Sequence, residues 1–178
     1  APTPATAPLK LIPAKVSTVV VVRDLAGSTD RLNGFLAAVA PASEKIEIDD
    51  LDDLATKLHL PCGVWDPKGS VVLILGKPEG GLADSVVCFK PRDPEKFNGN
   101  SLLAQGRARG FDGPDGRYYV LMRDGFAIAS TKMRMLRPFR RLKTRDSLYT
   151  SLDKKQRELF EKSDVVVHVP LENWRPMV

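Results

Sequence analysis

The stretch RYYVLMRDGFAIASTKMRMLRPFRRL, residues 117 to 142, places two strand-like runs directly before a segment rich in arginine. Tyr118 to Met122 and Phe126 to Ser130 consist of aromatic, branched and small apolar residues, which are typical of strands. Asp124-Gly125 between them tolerates the positive φ angles of a two-residue turn. The stretch therefore predicts a β-hairpin at the centre of the fold.

The segment after the hairpin mixes cations with apolar residues at helical spacing. It predicts a basic helix with one apolar face, formed by Met135, Leu136, Phe139 and Leu142. Pro138 breaks or kinks this helix unless it falls in the first turn of a second segment. Guanidinium groups suit bidentate contact with phosphate or carboxylate. The candidate residues for binding an anion or a partner are therefore Arg134, Arg137, Arg140, Arg141 and Arg145. A solvated or salt-bridged basic face is the alternative.

Composition and charge narrow the class of protein. The 178 residues are 43% hydrophobic and 28% charged, as in a globular chain with a substantial core. The longest apolar run is about as long as one strand, whereas a transmembrane helix needs roughly 20 apolar residues. Residues 1–100 carry 11 Lys or Arg and 13 Asp or Glu, and residues 101–178 carry 16 and 9. The basic second part favours an anionic partner such as nucleic acid, phospholipid headgroups or an acidic polysaccharide.

Other apolar runs complete a sheet around the hairpin. Ser17 to Val22 predicts a buried strand, and an amphipathic helix capped by Ser28 or Thr29 follows it and stops at Pro41. Further strands are predicted in Val71 to Leu75, Ser85 to Phe89 and Asp164 to Val169, with an edge strand at Arg107, Arg109 and Phe111. We predict an α+β fold: a mainly antiparallel sheet with helices largely on one face, one βα opening unit and a central β-hairpin.

The sequence carries no signature of a catalytic, cofactor or metal site. The GxSxG, HExxH and GxGxxG motifs are absent, and we interpret His59 and His168 as structural. The acidic run from Asp49 to Asp53 fits a helix N-terminus better than a calcium loop. Cys88 lies in an apolar run, which favours a buried free thiol, although a bridge to Cys62 is an open alternative. We assign no catalytic, cofactor-binding or metal-ligating residue and expect no cofactor.

The two ends of the chain differ from its middle. The tract APTPATAPL predicts a disordered Pro/Ala/Thr-rich tether over residues 1–10, of the kind found after a removed signal peptide. Residues 11–163 are predicted to form a single α+β domain. Residues 164–178 form a final strand, and VVVHVPL there echoes VVVVRDL near the start, so a second repeat could open at that point and be truncated.

The order of four features resembles an uncharacterised bacterial exported-protein family, known only as a domain of unknown function. These features are Leu11-Ile12-Pro13, the strand and helix over residues 17–39, the RDGFAIAS hairpin at 123–130 and SDVVVHV at 163–169. The resemblance implies an extracytoplasmic location in the periplasm or cell envelope. It also implies that this chain corresponds to the N-terminal half of a longer protein with two related halves.

We expect a non-catalytic extracytoplasmic module that binds or scaffolds, with another protein or an anionic polymer as its partner. Two alternatives stay open. One is an envelope hydrolase with an active site assembled from distant residues. The other is a basic surface that binds nucleic acid or another anionic polymer, although nucleic-acid recognition usually adds exposed aromatic side chains.

Overall fold

A computed structural model describes residues 6–16, 18–39, 63–75, 85–95, 108–113 and 116–170. Within these ranges the chain forms a seven-stranded sheet in which every pair of neighbours is antiparallel, in the order β4-β5-β6-β3-β2-β1-β7. The strands are β1 Thr18–Val22, β2 Val71–Leu75, β3 Val86–Phe89, β4 Arg109–Gly113, β5 Gly116–Arg123, β6 Phe126–Ser130 and β7 Val165–His168. The predicted α+β fold with an antiparallel sheet is confirmed.

The hairpin of β5 and β6 has the predicted turn. Asp124 and Gly125 both have positive φ, 49° and 79°, which matches the twist of the two flanking strands. The register pairs Val120 with Ala129 and places Ala127 opposite Met122, so small side chains face larger ones across the ladder. This alternation leaves space on one face of the sheet, and Phe89 belongs to the buried cluster there.

The two faces of the sheet bury different clusters because side chains alternate along each strand. The first face carries Val19 and Val21 of β1 and continues across the sheet in Val72, Ile74, Val86, Cys88, Ile128 and Leu121. The second face is centred on Trp65 and Phe89, whose ring centroids lie 5.5 Å apart. The short helices determine which of the two faces is covered by more packed structure.

The helical elements are mostly short. They are a 3-10 helix at Ala7–Leu11, α1 Leu25–Val39, a 3-10 helix at Met133–Leu136, α2 Arg137–Arg140, a 3-10 helix at Thr144–Asp146, α3 Leu148–Ser151 and α4 Lys154–Lys162. Five of these elements each place a buried side chain in the first-face core; among the described side chains, α1 and the 3-10 turn at 144–146 contribute none. The side chains are Leu9, Leu136, Phe139, Leu148 and Phe160. The predicted placement of helices largely on one face holds for these elements. Among the described helices, none is long and apolar enough to cross a membrane.

Helix α1 begins earlier than its predicted cap. The side chain of Asp24 accepts a hydrogen bond from the Gly27 amide at 3.1 Å, whereas Ser28 donates its hydroxyl to the Arg23 carbonyl. Asp24 has a φ of 49°, a conformation that aspartate adopts more readily than most residues. The prediction of Ser28 or Thr29 as the cap was wrong because it took no account of this turn.

The N-terminal tether prediction needs correction over residues 6–10. Residues Ala7–Leu11 form a 3-10 helix, and Leu9 and Ile12 are fully buried. The Ile12 carbonyl accepts a hydrogen bond from the Leu148 amide at 2.7 Å, and the Ala14 amide donates to the Asp146 carbonyl at 2.9 Å. These long-range partners hold the segment against α3. The first five residues lie outside the described ranges.

Strand β7 belongs to the same sheet as the rest of the domain. It pairs with β1 through Val21↔Val166 and Val19↔His168. The predicted boundary at residue 164 therefore does not separate this strand from the domain. The predicted second repeat rests on residues after it, and residues 171–178 lie outside the described ranges.

Candidate anion-binding surface

The basic segment at residues 131–145 lies on the first face of the sheet but is not a continuous helix. A 3-10 turn at Met133–Leu136 passes directly into α2, and Pro138 sits in the first turn of α2, where its missing amide donor has no intrahelical partner to lose. This was the exception named for Pro138 in the sequence prediction. The predicted basic helix is thus divided into a 3-10 turn and a one-turn α-helix.

Three buried side chains hold this segment to the sheet. Leu136, Phe139 and Leu142 are 0%, 3% and 8% exposed. Their spacing of three residues suits tight helical turns, in which side chains at i and i+3 lie on one side. The residues between these anchors consequently face solvent.

Arg123 also holds this segment against the sheet. It is the last residue of β5, and its guanidinium donates hydrogen bonds to the carbonyl oxygens of Phe139 at 2.8 Å and Leu142 at 2.7 Å. These are the carbonyls at the end of the one-turn helix α2, which has few intrahelical partners for them. One strand residue thus satisfies two acceptors that would otherwise depend on water.

The candidate arginines all lie on the exposed side. The segment 131–145 contains seven cations and no Asp or Glu, and we call it the basic platform. Arg134, Arg137, Arg140, Arg141 and Arg145 are each exposed. Arg145 lies 3.8 Å from the carboxylate of Asp146, and Arg134 and Arg140 make further interactions. Within the described part of the chain, Arg137 and Arg141 have no acidic partner.

A second charged region, which the sequence did not indicate, forms at one end of the sheet. It is a cleft of about 1020 Å³. Extending the strand register by one residue places Arg23, Ser70, Lys90 and Phe126 in one row on the first face. Each of these residues lies at or just beyond the end of a different strand. Only the strand order brings them together, so no local sequence signal could have identified the row.

Ion pairs organise the wall of this cleft. Asp164 accepts from Arg31 at 2.7 Å and from Arg23 at 3.3 Å, so one carboxylate joins the second turn of α1 to the residue that follows β1. Arg23 also donates to the carbonyl of Glu161 in α4. Lys90 lies 3.6 Å from Asp66. The cleft is therefore mixed in charge, unlike the basic platform.

The titratable groups considered for catalysis do not form a site within the described ranges. Burial lowers the pKa of His168, and its ring packs 6.3 Å from that of Phe160 without a hydrogen bond to any described residue. Burial also raises the pKa of the Cys88 thiol to about 12. Cys88 is a buried free thiol, as its apolar run predicted. His59, Cys62 and the acidic run Asp49 to Asp53 lie outside the described ranges.

Metal-ligating side chains do not cluster in the described part of the chain, where no group of three or more His, Cys, Asp or Glu is placed to hold an ion. Comparison with protein-family models, curated proteins and solved structures finds no match to this chain. The resemblance to an exported bacterial family thus stays a prediction, and the function is proposed from two charged regions, the basic platform and the cleft.

Proposed function

We propose that this protein is a non-catalytic binding module whose basic platform contacts an anionic polymer. One observation carries the proposal: seven cations and no acid follow one another along residues 131–145, and buried anchors hold them outward. A backbone segment that buried anchors already hold in place loses less freedom when it binds. The platform is therefore better suited to binding than the same charges on a mobile tail.

Acidic polysaccharide is the polymer class that this surface fits best. Proteins that bind single-stranded nucleic acid stack bases on exposed aromatic rings. The aromatic residue within the platform, Phe139, is only 3% exposed and packs in the core. Carboxylate and sulfate groups, by contrast, need only cations in reach, and arginine can engage them through two parallel hydrogen bonds. Nucleic acid is accordingly the alternative outcome of the test.

The proposed compartment is the periplasm or cell envelope. The support is the resemblance to an exported family, which is carried by residues 11–13, 17–39, 123–130 and 163–169. Acidic polysaccharides are surface polymers, so this location and the proposed ligand agree. In this view the antiparallel sheet is a scaffold, and the module acts by holding its partner.

The test is the affinity of the protein for heparin, used as a model acidic polysaccharide, measured by calorimetry over a series of NaCl concentrations. The double variant Arg137→Glu/Arg141→Glu reverses two cations that have no described acidic partner. We expect its affinity to fall by roughly tenfold or more, with a shallower dependence on salt, because fewer counterions are released. The matched control is Lys154→Glu/Lys155→Glu, which makes the same charge change in α4, where both lysines are exposed.

Three outcomes contradict the proposal. If the protein does not bind heparin at low salt, acidic polysaccharide is not its ligand. If the two variants lose equal affinity for heparin, the net charge of the protein and not the platform accounts for binding. If the protein binds single-stranded DNA more tightly than heparin, and the platform variant loses this binding, the ligand of the platform is nucleic acid and not a polysaccharide. Circular dichroism of both variants checks that the exposed substitutions leave the fold intact.

A further inference from the structure

The cleft at the end of the sheet combines polar and apolar side chains. Its floor is the row of Arg23, Ser70, Lys90 and Phe126, and its volume is about 1020 Å³. Binding sites for small molecules usually occupy about 300–1,000 Å³ and combine apolar surface with a few polar groups. Phe126 supplies apolar surface on the floor, and Ala7 supplies it from the 3-10 helix that packs on the same face.

Ser70 is the most informative residue of the floor. It is 9% exposed, yet its hydroxyl makes no hydrogen bond to any described residue. The Ser70 Oγ is not among the fully buried side-chain atoms that lack a partner, so the hydroxyl itself is accessible from the cleft. Ser70 directly precedes Val71 of β2 and, by alternation, faces the same side as the buried Val72. Its O–H group is thus an unused donor in the cleft.

Cations flank this hydroxyl on both neighbouring strands. The register places Arg23 on one side of Ser70 and Lys90 on the other. Lys90 is 3.6 Å from Asp66, which is longer than a hydrogen bond, so its ammonium protons can reach another acceptor. Lys68 also lines the cleft and has no ion pair with a described residue.

The start of α1 does not supply the donors of this site. The Ala26 amide donates to the Pro67 carbonyl at 2.6 Å, and the Gly27 amide donates to Asp24 at 3.1 Å. Asp24, Asp30, Asp124 and Glu161 add acidic side chains to the lining, equal in number to the cations Arg23, Arg31, Lys68 and Lys90. This balance disfavours a polyanion and is compatible with one local negative group beside Ser70.

We propose that the cleft binds a small molecule through a single oxyanion head group, a carboxylate or a phosphate. Ser70 donates its hydroxyl to the oxyanion, Lys90 and Arg23 supply positive charge on either side, and Phe126 contacts the body of the ligand. The proposal is independent of polymer binding at the basic platform, because it uses none of the residues 131–145. It gives the module a second site, specific for small ligands rather than polymers.

The test follows amide chemical shifts of the full chain by NMR during titration with sodium phosphate or sodium acetate, at constant ionic strength held by NaCl. The two probes distinguish the head groups. We expect saturable shifts at residues 23, 70 and 90 with at least one of them. Ser70→Ala should weaken binding by about tenfold, because a hydrogen bond to a charged group is lost. Lys90→Gln should weaken it as well, and Lys154→Gln on exposed α4 is the matched control.

The results decide between this site and the platform. The proposal is overturned if the shifts increase linearly without saturation, or if Ser70→Ala binds as the unchanged protein does. It is equally overturned if Arg137→Glu/Arg141→Glu, whose substitutions lie outside the cleft, abolishes the shifts at residues 23, 70 and 90. Ser70→Ala removes a hydroxyl that has no described partner, so we expect it to fold normally.

Discussion

The basic platform and the cleft both concentrate cations, but they arise in opposite ways. The platform takes its charge from consecutive residues, and its seven cations over 131–145 have no acid among them. The cleft collects Arg23, Lys68 and Lys90 from separate parts of the chain and surrounds them with carboxylates. The platform cations thus have no acid within their own stretch, and Arg137 and Arg141 have no acidic partner among the described residues, whereas the charge brought together by folding is largely compensated.

This difference has a physical basis. An exposed, unpaired cation costs little because water solvates it, so a charged run can persist wherever its apolar neighbours are buried. Cations at the end of a sheet are partly removed from water, and Arg23 accordingly has Asp164 and the Glu161 carbonyl as partners. The first region is suited to long polymers with many weak contacts, and the second to one small group.

The largest change in stability is expected when a buried anchor of the platform is removed. Leu136→Ala deletes a fully buried side chain and should lower the free energy of unfolding by about 2–5 kcal/mol. Leu159→Ala is the control, because Leu159 is 59% exposed, and it should change stability by no more than about 0.5 kcal/mol. Urea denaturation measures both. Equal effects would show that the platform is not held by burial.

A smaller effect is expected from Arg123, which ties the platform to the hairpin. Arg123→Ala leaves the carbonyls of Phe139 and Leu142 without their donor and should cost about 1–2 kcal/mol, since water can replace part of the loss. Arg117→Ala on the same strand is the control, because Arg117 is 63% exposed and 3.9 Å from Asp112. A stability loss in Arg117→Ala as large as that in Arg123→Ala would refute this role.

The smallest effect concerns the ion pairs beside the cleft. Asp164→Asn weakens the contacts to Arg23 and Arg31, and since Asp164 is 36% exposed the loss should not exceed about 1 kcal/mol. Asp112→Asn, at a side chain that is 93% exposed, is the matched control. Thermal unfolding at low and high NaCl should show the loss shrinking with salt. A loss that is independent of salt would mean that Asp164 acts through packing instead.

Local patterns in the sequence were sufficient for several elements. Asp124-Gly125 predicted the hairpin turn because few dipeptides accept two successive positive φ angles. The apolar runs predicted β1, β2, β3 and β7, since a strand that is buried on one or both faces needs apolar side chains at short range. The exposure of the five candidate arginines also agrees with their sequence pattern.

Other features depended on partners far along the chain. The segment 7–11 has the composition of a mobile tether, yet Leu9 and Leu11 are buried in the first-face core, and the Leu148 amide binds the carbonyl of Ile12 directly after the segment. The helix start at Asp24 depended on a backbone turn with a φ of 49°, which no side-chain pattern indicated. The first error arose because propensity describes what a segment does alone and tertiary contacts can outweigh it. The second has a local cause, because the turn at Asp24 starts the helix before Ser28.

The sequence alone predicted the hairpin and the composition of the basic platform. Both depend on neighbouring residues: on the alternation of apolar side chains, on the turn dipeptide and on a run of cations without an acid. The row of Arg23, Ser70, Lys90 and Phe126 exists because the order β6-β3-β2-β1 brings the ends of four strands side by side. That order is set by the burial of two apolar faces across the whole chain. Tertiary structure alone therefore placed the Ser70 hydroxyl between two cations.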